Sequence, residues 1–127
     1  MTRIDPELSD EPREQAFAAV YRADQMHETD APGLTGRAER LALGTLEHLE
    51  ELDAAINDVS DHWRVDRMPA VDRALLRLAV YELQHEPQTP AAVILSEAVR
   101  IAKEYSTQAS GRFVNGVLAT LAARLRE

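Results

Sequence analysis

The stretch from Val71 to Leu83 most constrains what this chain can fold into. Val71, Leu75, Leu76, Leu78, Ala79 and Leu83 recur at helical spacing but spread over more than one face. A surface helix buries a single stripe, whereas a helix apolar on several sides has to be surrounded. The pattern predicts a central helix with Pro69 in its first turn, running to about Gln84, and other helices laid around it.

The rest of the chain supplies those partners. Residues 1–9 read as an acidic, partly ordered lead. Ser9 or Asp10 is placed to cap a first helix, with Pro12 in its first turn. Ala16, Phe17, Val20 and Tyr21 form its stripe, which fades by Met26. His27 to Gly36 reads as a loop, with a turn at Asp30-Ala31-Pro32-Gly33. A second helical run begins near Thr35 or Gly36 and carries Leu41, Leu46, Leu49, Leu52, Ile56 and Val59 to about residue 60. It is long for one straight helix, and Gly44 weakens it by about 1 kcal/mol relative to Ala. A break is expected around Glu50–Asp53. Trp63 to Met68 connects to the central helix.

After it, Thr89 as N-cap and Pro90 at the first position start a helix striped by Val93, Ile94, Ala98, Ile101, Ala102 and Tyr105. Ser106 to Gly111 reads as a break. A last helix is expected from about Arg112 to Arg126, with Phe113, Val114, Val117, Leu118, Leu121 and Leu125 inward. Arg124 and Arg126 suit its C-terminal end through the helix dipole. There is no period-2 run of β-branched residues and no internal repeat. The expectation is an all-α fold, a compact single-domain bundle of six or seven helices over residues 1–127.

Composition excludes several function classes. With no cysteine, neither a disulfide framework nor a Cys-based zinc site is available. No run of 18 apolar residues occurs, so no membrane span is expected. The segment Met1 to Glu7 lacks an apolar core, so no signal peptide is expected and the protein reads as cytoplasmic. His27, His48, His62 and His85 show no metal-ligand rhythm, and no glycine-rich phosphate loop or nucleophile elbow is present. Neither catalysis nor a cofactor is expected.

The net charge of −8 argues against a general nucleic-acid binder. It is unevenly placed: residues 1–67 hold 16 acids and 7 bases, residues 68–127 hold 6 acids and 7 bases. Every base but Lys103 is arginine, a residue able to bond phosphate bidentately and stack on bases. The acids of the front half equally serve solubility.

Three phrases set order, spacing and residue type over about half the protein: Asp72 to Leu83, Glu97-Ala98-Val99-Arg100-Ile101-Ala102-Lys103, and Phe113-Val114-Asn115-Gly116-Val117-Leu118. Core packing alone does not require Tyr81-Glu82, Glu97, Lys103 or Asn115-Gly116. With Arg13-Glu14, Ala16 and Tyr21 ahead of them, these phrases resemble the NusB family of bacterial transcription antitermination factors, which are small all-helical proteins. The resemblance implies binding of single-stranded boxA-type RNA jointly with the ribosomal protein NusE, in a complex on elongating RNA polymerase. Either a monomer or a homodimer is compatible with it.

Two regions carry RNA contacts in that family: an arginine-rich start to the first helix and the start of the last. Arg112 and Phe113 match the second, and Ser110 adds a hydroxyl. In the first, the chain reads Ser9-Asp10-Glu11-Pro12-Arg13, keeping only Arg13. Each lost phosphate contact lowers affinity and flattens its salt dependence. Arg73 and Arg77 are candidates to offset the loss, and a positive strip joining Arg13, Arg77 and Arg112 would be the footprint of RNA binding.

Tyr21 and Asp72 match the family's surface for the ribosomal protein, though either reads equally as an ordinary edge residue. Phe113 reads equally as core. Asn115 and Gly116 also have a purely structural account, in which Asn115 bonds a loop carbonyl and Gly116 admits a neighbouring helix backbone. Glu82 is expected to pair with Lys103 or an arginine. The alternative function is a divergent module of the same fold that has lost RNA contact and retained protein partners. A third reading, as accessory to an RNA methyltransferase, follows from the fold's occurrence as the front domain of ribosomal RNA cytosine methyltransferases. No segment of this sequence is expected to hold the methyl donor.

Overall fold

Among the described residues, five helices pack around the one predicted to be central. The computed structural model describes residues 11–61 and 63–126. The helices are α1 (Pro12–Met26), α2 (Gly36–Glu47), α3 (Leu49–Val59), α4 (Ala70–His85), α5 (Ala91–Tyr105) and α6 (Gln108–Leu125), with a 3₁₀ turn at Val65–Arg67 before α4. No strand occurs among the described residues. The acidic lead and the caps expected at Ser9 or Asp10 lie outside them.

α4 packs against α1, α2, α3, α5 and α6. Leu75, Leu76, Leu78, Ala79, Val80 and Leu83 are all buried, which accounts for the several apolar faces read in the sequence. Phe17 of α1, Leu41 of α2, Leu52 and Ile56 of α3, Ile94 and Ile101 of α5, and Leu118 of α6 close one continuous core around it.

Helix ends depart from expectation where local hydrogen bonds decide them. α1 is capped by Glu11, whose carboxylate accepts from the backbone N–H of Arg13 (3.1 Å) and Glu14 (2.7 Å). The long run breaks at His48, ahead of the expected Glu50–Asp53. The His48 ring takes up the carbonyl of Gly44 at 2.7 Å and its backbone N–H that of Thr45 at 3.1 Å, so two α2 carbonyls are satisfied and the chain turns there. Pro69 and Pro90 occupy the cap positions of α4 and α5, one residue outside the expected first turn.

α6 starts four residues before the expected Arg112. The Thr107 side chain accepts from Ser110 N–H at 3.0 Å, which draws Ser110 and Gly111 into the first turn. Arg126 reaches beyond its own helix. Its guanidinium donates to the carbonyls of Glu82, Leu83, Glu86 and Thr89 at 2.7–3.2 Å, closing the C-terminal end of α4.

Two charged clusters tie the helices together. Arg13 of α1 forms a bidentate pair with Glu82 of α4, both bonds 2.8 Å, with the Glu82 side chain fully buried. Arg37 of α2 adds a contact to Glu82 at 3.5 Å. On another side, Arg73 and Arg77 of α4 clasp Asp24 of α1 and Asp53 of α3. Arg77 is bidentate to Asp53 at 2.8 and 2.7 Å, and Arg73 bonds Asp24 at 2.6 Å.

Candidate nucleic-acid interface

Two concavities flank the start of α6. The first is a cleft of about 500 Å³ whose lining includes Trp63, Pro69, Asp72, Thr107, Ser110 and Phe113. Phe113 is half-buried and meets Trp63 edge-on, ring centroids 5.4 Å apart at 71°. Trp63 remains 44% exposed. Within the lining, the Ser110 hydroxyl donates to the Asp72 carboxylate. Asp72 is only 2% exposed, and burial pushes its carboxyl above the ordinary value, against the opposing effect of the Ser110 hydrogen bond. The cleft is apolar with aromatic edges, a surface on which an unpaired base stacks.

The second is an open groove of about 590 Å³ between α5 and α6, lined by Ser96, Val99, Arg100, Lys103, Gly111, Arg112 and Asn115. The Lys103 stem crosses Gly111 so closely that a Cβ there would lie 3.0 Å from Lys103 Cγ. Arg100 is neutralised by a ring of carboxylates from Glu11, Glu14, Glu97 and Glu104. Arg112 and Lys103 are both exposed, and among the described residues neither has an ion-pair or hydrogen-bond partner for its side chain. Two unneutralised cations therefore stand beside an aromatic cleft, and the neighbours Arg112 and Phe113 join the two halves.

Of the other residues singled out in the sequence, Arg13, Arg77 and Tyr21 sit elsewhere, and Asp72 and Ser110 line the cleft. Arg13 is 6% exposed and turned inward onto Glu82, which is the arginine partner expected for that glutamate. A phosphate would have to displace a buried carboxylate to reach it. Arg77 is engaged by Asp53 and Asp24. The expected strip joining Arg13, Arg77 and Arg112 is not formed, because the first two arginines spend their charge on internal acids. Asp72, expected at a protein interface, is 2% exposed at the wall of the cleft, with its carboxylate bonded to Ser110. Ser110 lines the cleft, but its hydroxyl proton is committed to Asp72. Tyr21 is half-buried on α1, its ring 6.3 Å from that of Phe17.

The purely structural account of Asn115 and Gly116 does not hold. Asn115 is exposed in the groove, and an added Cβ at Gly116 would meet nothing within 4 Å. The close-approach glycine is Gly44, where a Cβ would lie 2.2 Å from the Tyr81 ring. Trp63 and Lys103 are the site residues the motif reading missed as ligands. Their signals were present: the single tryptophan in a connection, and the single lysine in a chain of arginines.

Comparison with known proteins gives the family and the fold. The NusB family model matches residues 10–123. The transcription antitermination protein NusB of Lysinibacillus sphaericus is 40% identical over 116 residues, covering 85% of this chain and 91% of the relative. That of Solibacter usitatus is 44% identical over 108 residues, covering 85% and 72%. Among solved structures, T. maritima NusB superposes with a TM-score of 0.77 at 32% identity, covering 88% of each chain. A chain from a structure of antitermination factors NusB and NusE in complex with dsRNA gives 0.77 at 28% identity, covering 98% of this chain and 99% of that one. With its central helix, its three phrases and this agreement along nearly the whole sequence, the chain belongs to the NusB family.

Proposed function

We propose that the protein is a transcription antitermination factor. It binds single-stranded boxA-type RNA jointly with ribosomal protein NusE and thereby helps assemble an antitermination complex on elongating RNA polymerase. The observation that carries this reading is the pairing of unneutralised Arg112 and Lys103 with the Phe113–Trp63 cleft in an otherwise acidic chain. Phosphates follow the two cations while an unstacked base enters against the aromatic rings. The chemistry is recognition and assembly, with no bond made or broken.

A second reading, a protein-interaction module without RNA contact, is favoured by one observation: Arg13, the remaining arginine of the family's other RNA region, is consumed by Glu82. A fluorescence titration with labelled boxA RNA, with and without NusE, separates the two. Saturable binding weakened at least about tenfold by Phe113→Ala, in line with about 1–3 kcal/mol per stacked base, supports the first. No binding even with NusE present establishes the second.

A further inference from the structure

The fold brings His85 against His48 and Glu51, a pair three residues apart in the sequence, and all three side chains are able to ligate a metal. His48, at the α2–α3 junction, Glu51, in the first turn of α3, and His85, the last residue of α4, place one donor atom each within 4.8 Å of one another. His85 Nε2 is 3.8 Å from a Glu51 carboxylate oxygen. The His48 and His85 rings stand 4.6 Å apart, and the Tyr81 ring lies against both, stacked on His85 at 4.8 Å and 5.7 Å from His48. Gly44 admits the Tyr81 ring to this position. Both imidazoles thus pack against the Tyr81 ring.

We propose that these three residues form a binding site for a divalent cation of the zinc class, with water completing the coordination. The tautomer of His48 is decided by its neighbour. A carbonyl oxygen only accepts, so Nδ1, 2.7 Å from the Gly44 carbonyl, carries the proton, and the Nε2 lone pair is free for a metal. Backbone-anchored imidazole of this kind is the usual outer-shell arrangement of a metal-binding histidine. Two imidazoles and one carboxylate form a set that selects zinc, nickel or copper over the oxygen-seeking magnesium and calcium. Around a tetrahedral zinc with bonds of about 2.0–2.1 Å, donors sit roughly 3.3 Å apart. Glu51 and His85 are exposed and His48 half-buried, so small side-chain rotations close the set to that spacing. The bound ion would pin the α2–α3 junction to the end of α4.

The test uses the full, tag-free chain stripped with a chelator, then titrated with Zn²⁺ by calorimetry and with Co²⁺ by visible absorption. The expected result is one equivalent bound with tetrahedral-type Co²⁺ bands. His48→Ala and His85→Ala should each weaken binding at least about tenfold. Glu51→Gln should weaken it too, whereas His27→Ala should leave it unchanged. Zn²⁺, and not Mg²⁺, should raise the melting temperature of the wild type and fail to raise that of His85→Ala. Glu51 and His85 are exposed, so Glu51→Gln and His85→Ala keep the fold, and circular dichroism of His48→Ala checks the half-buried ligand. No Zn²⁺ binding, or binding equally strong in His48→Ala and His85→Ala, would overturn the proposal.

Discussion

Two glycines, both inside helices, illustrate how neighbours decide the effect of a single methyl group. Alanine is the better helix former by about 1 kcal/mol wherever its Cβ meets nothing. At Gly116 it meets nothing within 4 Å, so Gly116→Ala should stabilise the protein by up to about 1 kcal/mol. At Gly44 it meets Tyr81 at 2.2 Å, so Gly44→Ala should destabilise by about 1–3 kcal/mol despite the better propensity. Urea denaturation of the pair checks the opposite signs, and two shifts of the same sign would contradict this account of the packing. Gly116→Ala also probes the exposed Asn115-Gly116 surface, because altered RNA affinity without lost stability would place that phrase at the interface.

Asp72 is the second residue whose surroundings set its behaviour. Burial raises its carboxyl pKa, with the Ser110 bond opposing. Between the unfolded and folded values the native state keeps a proton that the unfolded chain gives up. The contribution of this group to stability is therefore fully present below the unfolded pKa and is lost as pH rises through the folded one. Asp72→Asn keeps an oxygen to accept from Ser110 and removes the charge. Its stability relative to the wild type should rise between about pH 4 and about pH 7. A difference that is the same at both pH values would show that Asp72 titrates normally.

At the scale of helices, the Arg13–Glu82 pair is a buried polar link between α1 and α4, beside the contacts of Asp24 with Arg73 and Arg77. The bidentate bond and the carboxylate beside it hold Arg13 firmly protonated against the cost of burial. Removing one partner of such a pair leaves an uncompensated buried charge, so Arg13→Ala should cost about 3–5 kcal/mol. Circular dichroism melts would register it, and a near-neutral change would mean that Arg13 is free for RNA after all.

The element scale also shows what was legible in the sequence. α4 could be read because its burial on several sides is written directly in its residue types, and α5 because its stripe is regular. The start of α6 was obscured because Ser106 to Gly111 has the composition of a loop. Only the Thr107 cap, a three-dimensional fact about one hydroxyl, makes Ser110 and Gly111 helical. Likewise, the sequence shows that Arg13 and Arg112 are both arginines. It does not show that Glu82 waits beside one of them while the other faces solvent.

For the molecule as a whole, a net charge of −8 sets the terms of RNA binding. Such a net charge gives no long-range attraction for a polyanion, so on the proposed reading affinity comes from local contacts and from the partner protein. The proposed site is the corner formed by α5, α6 and the Trp63 connection, where Arg112 and Lys103 are exposed without an acidic partner among the described residues. Elsewhere, Arg13, Arg73, Arg77 and Arg100 are paired with carboxylates. On the proposed reading, this mixed surface lets a chain with so many acids keep a small RNA site.

The salt dependence of boxA RNA affinity tests this most directly, measured at a fixed saturating concentration of NusE for the wild type, Arg112→Ala and Lys103→Ala. If the two free cations hold phosphates, each substitution should lower affinity and reduce the slope of log K against log salt by about 0.7. Unchanged affinity and slope in both variants would contradict the assignment of this corner as the RNA site.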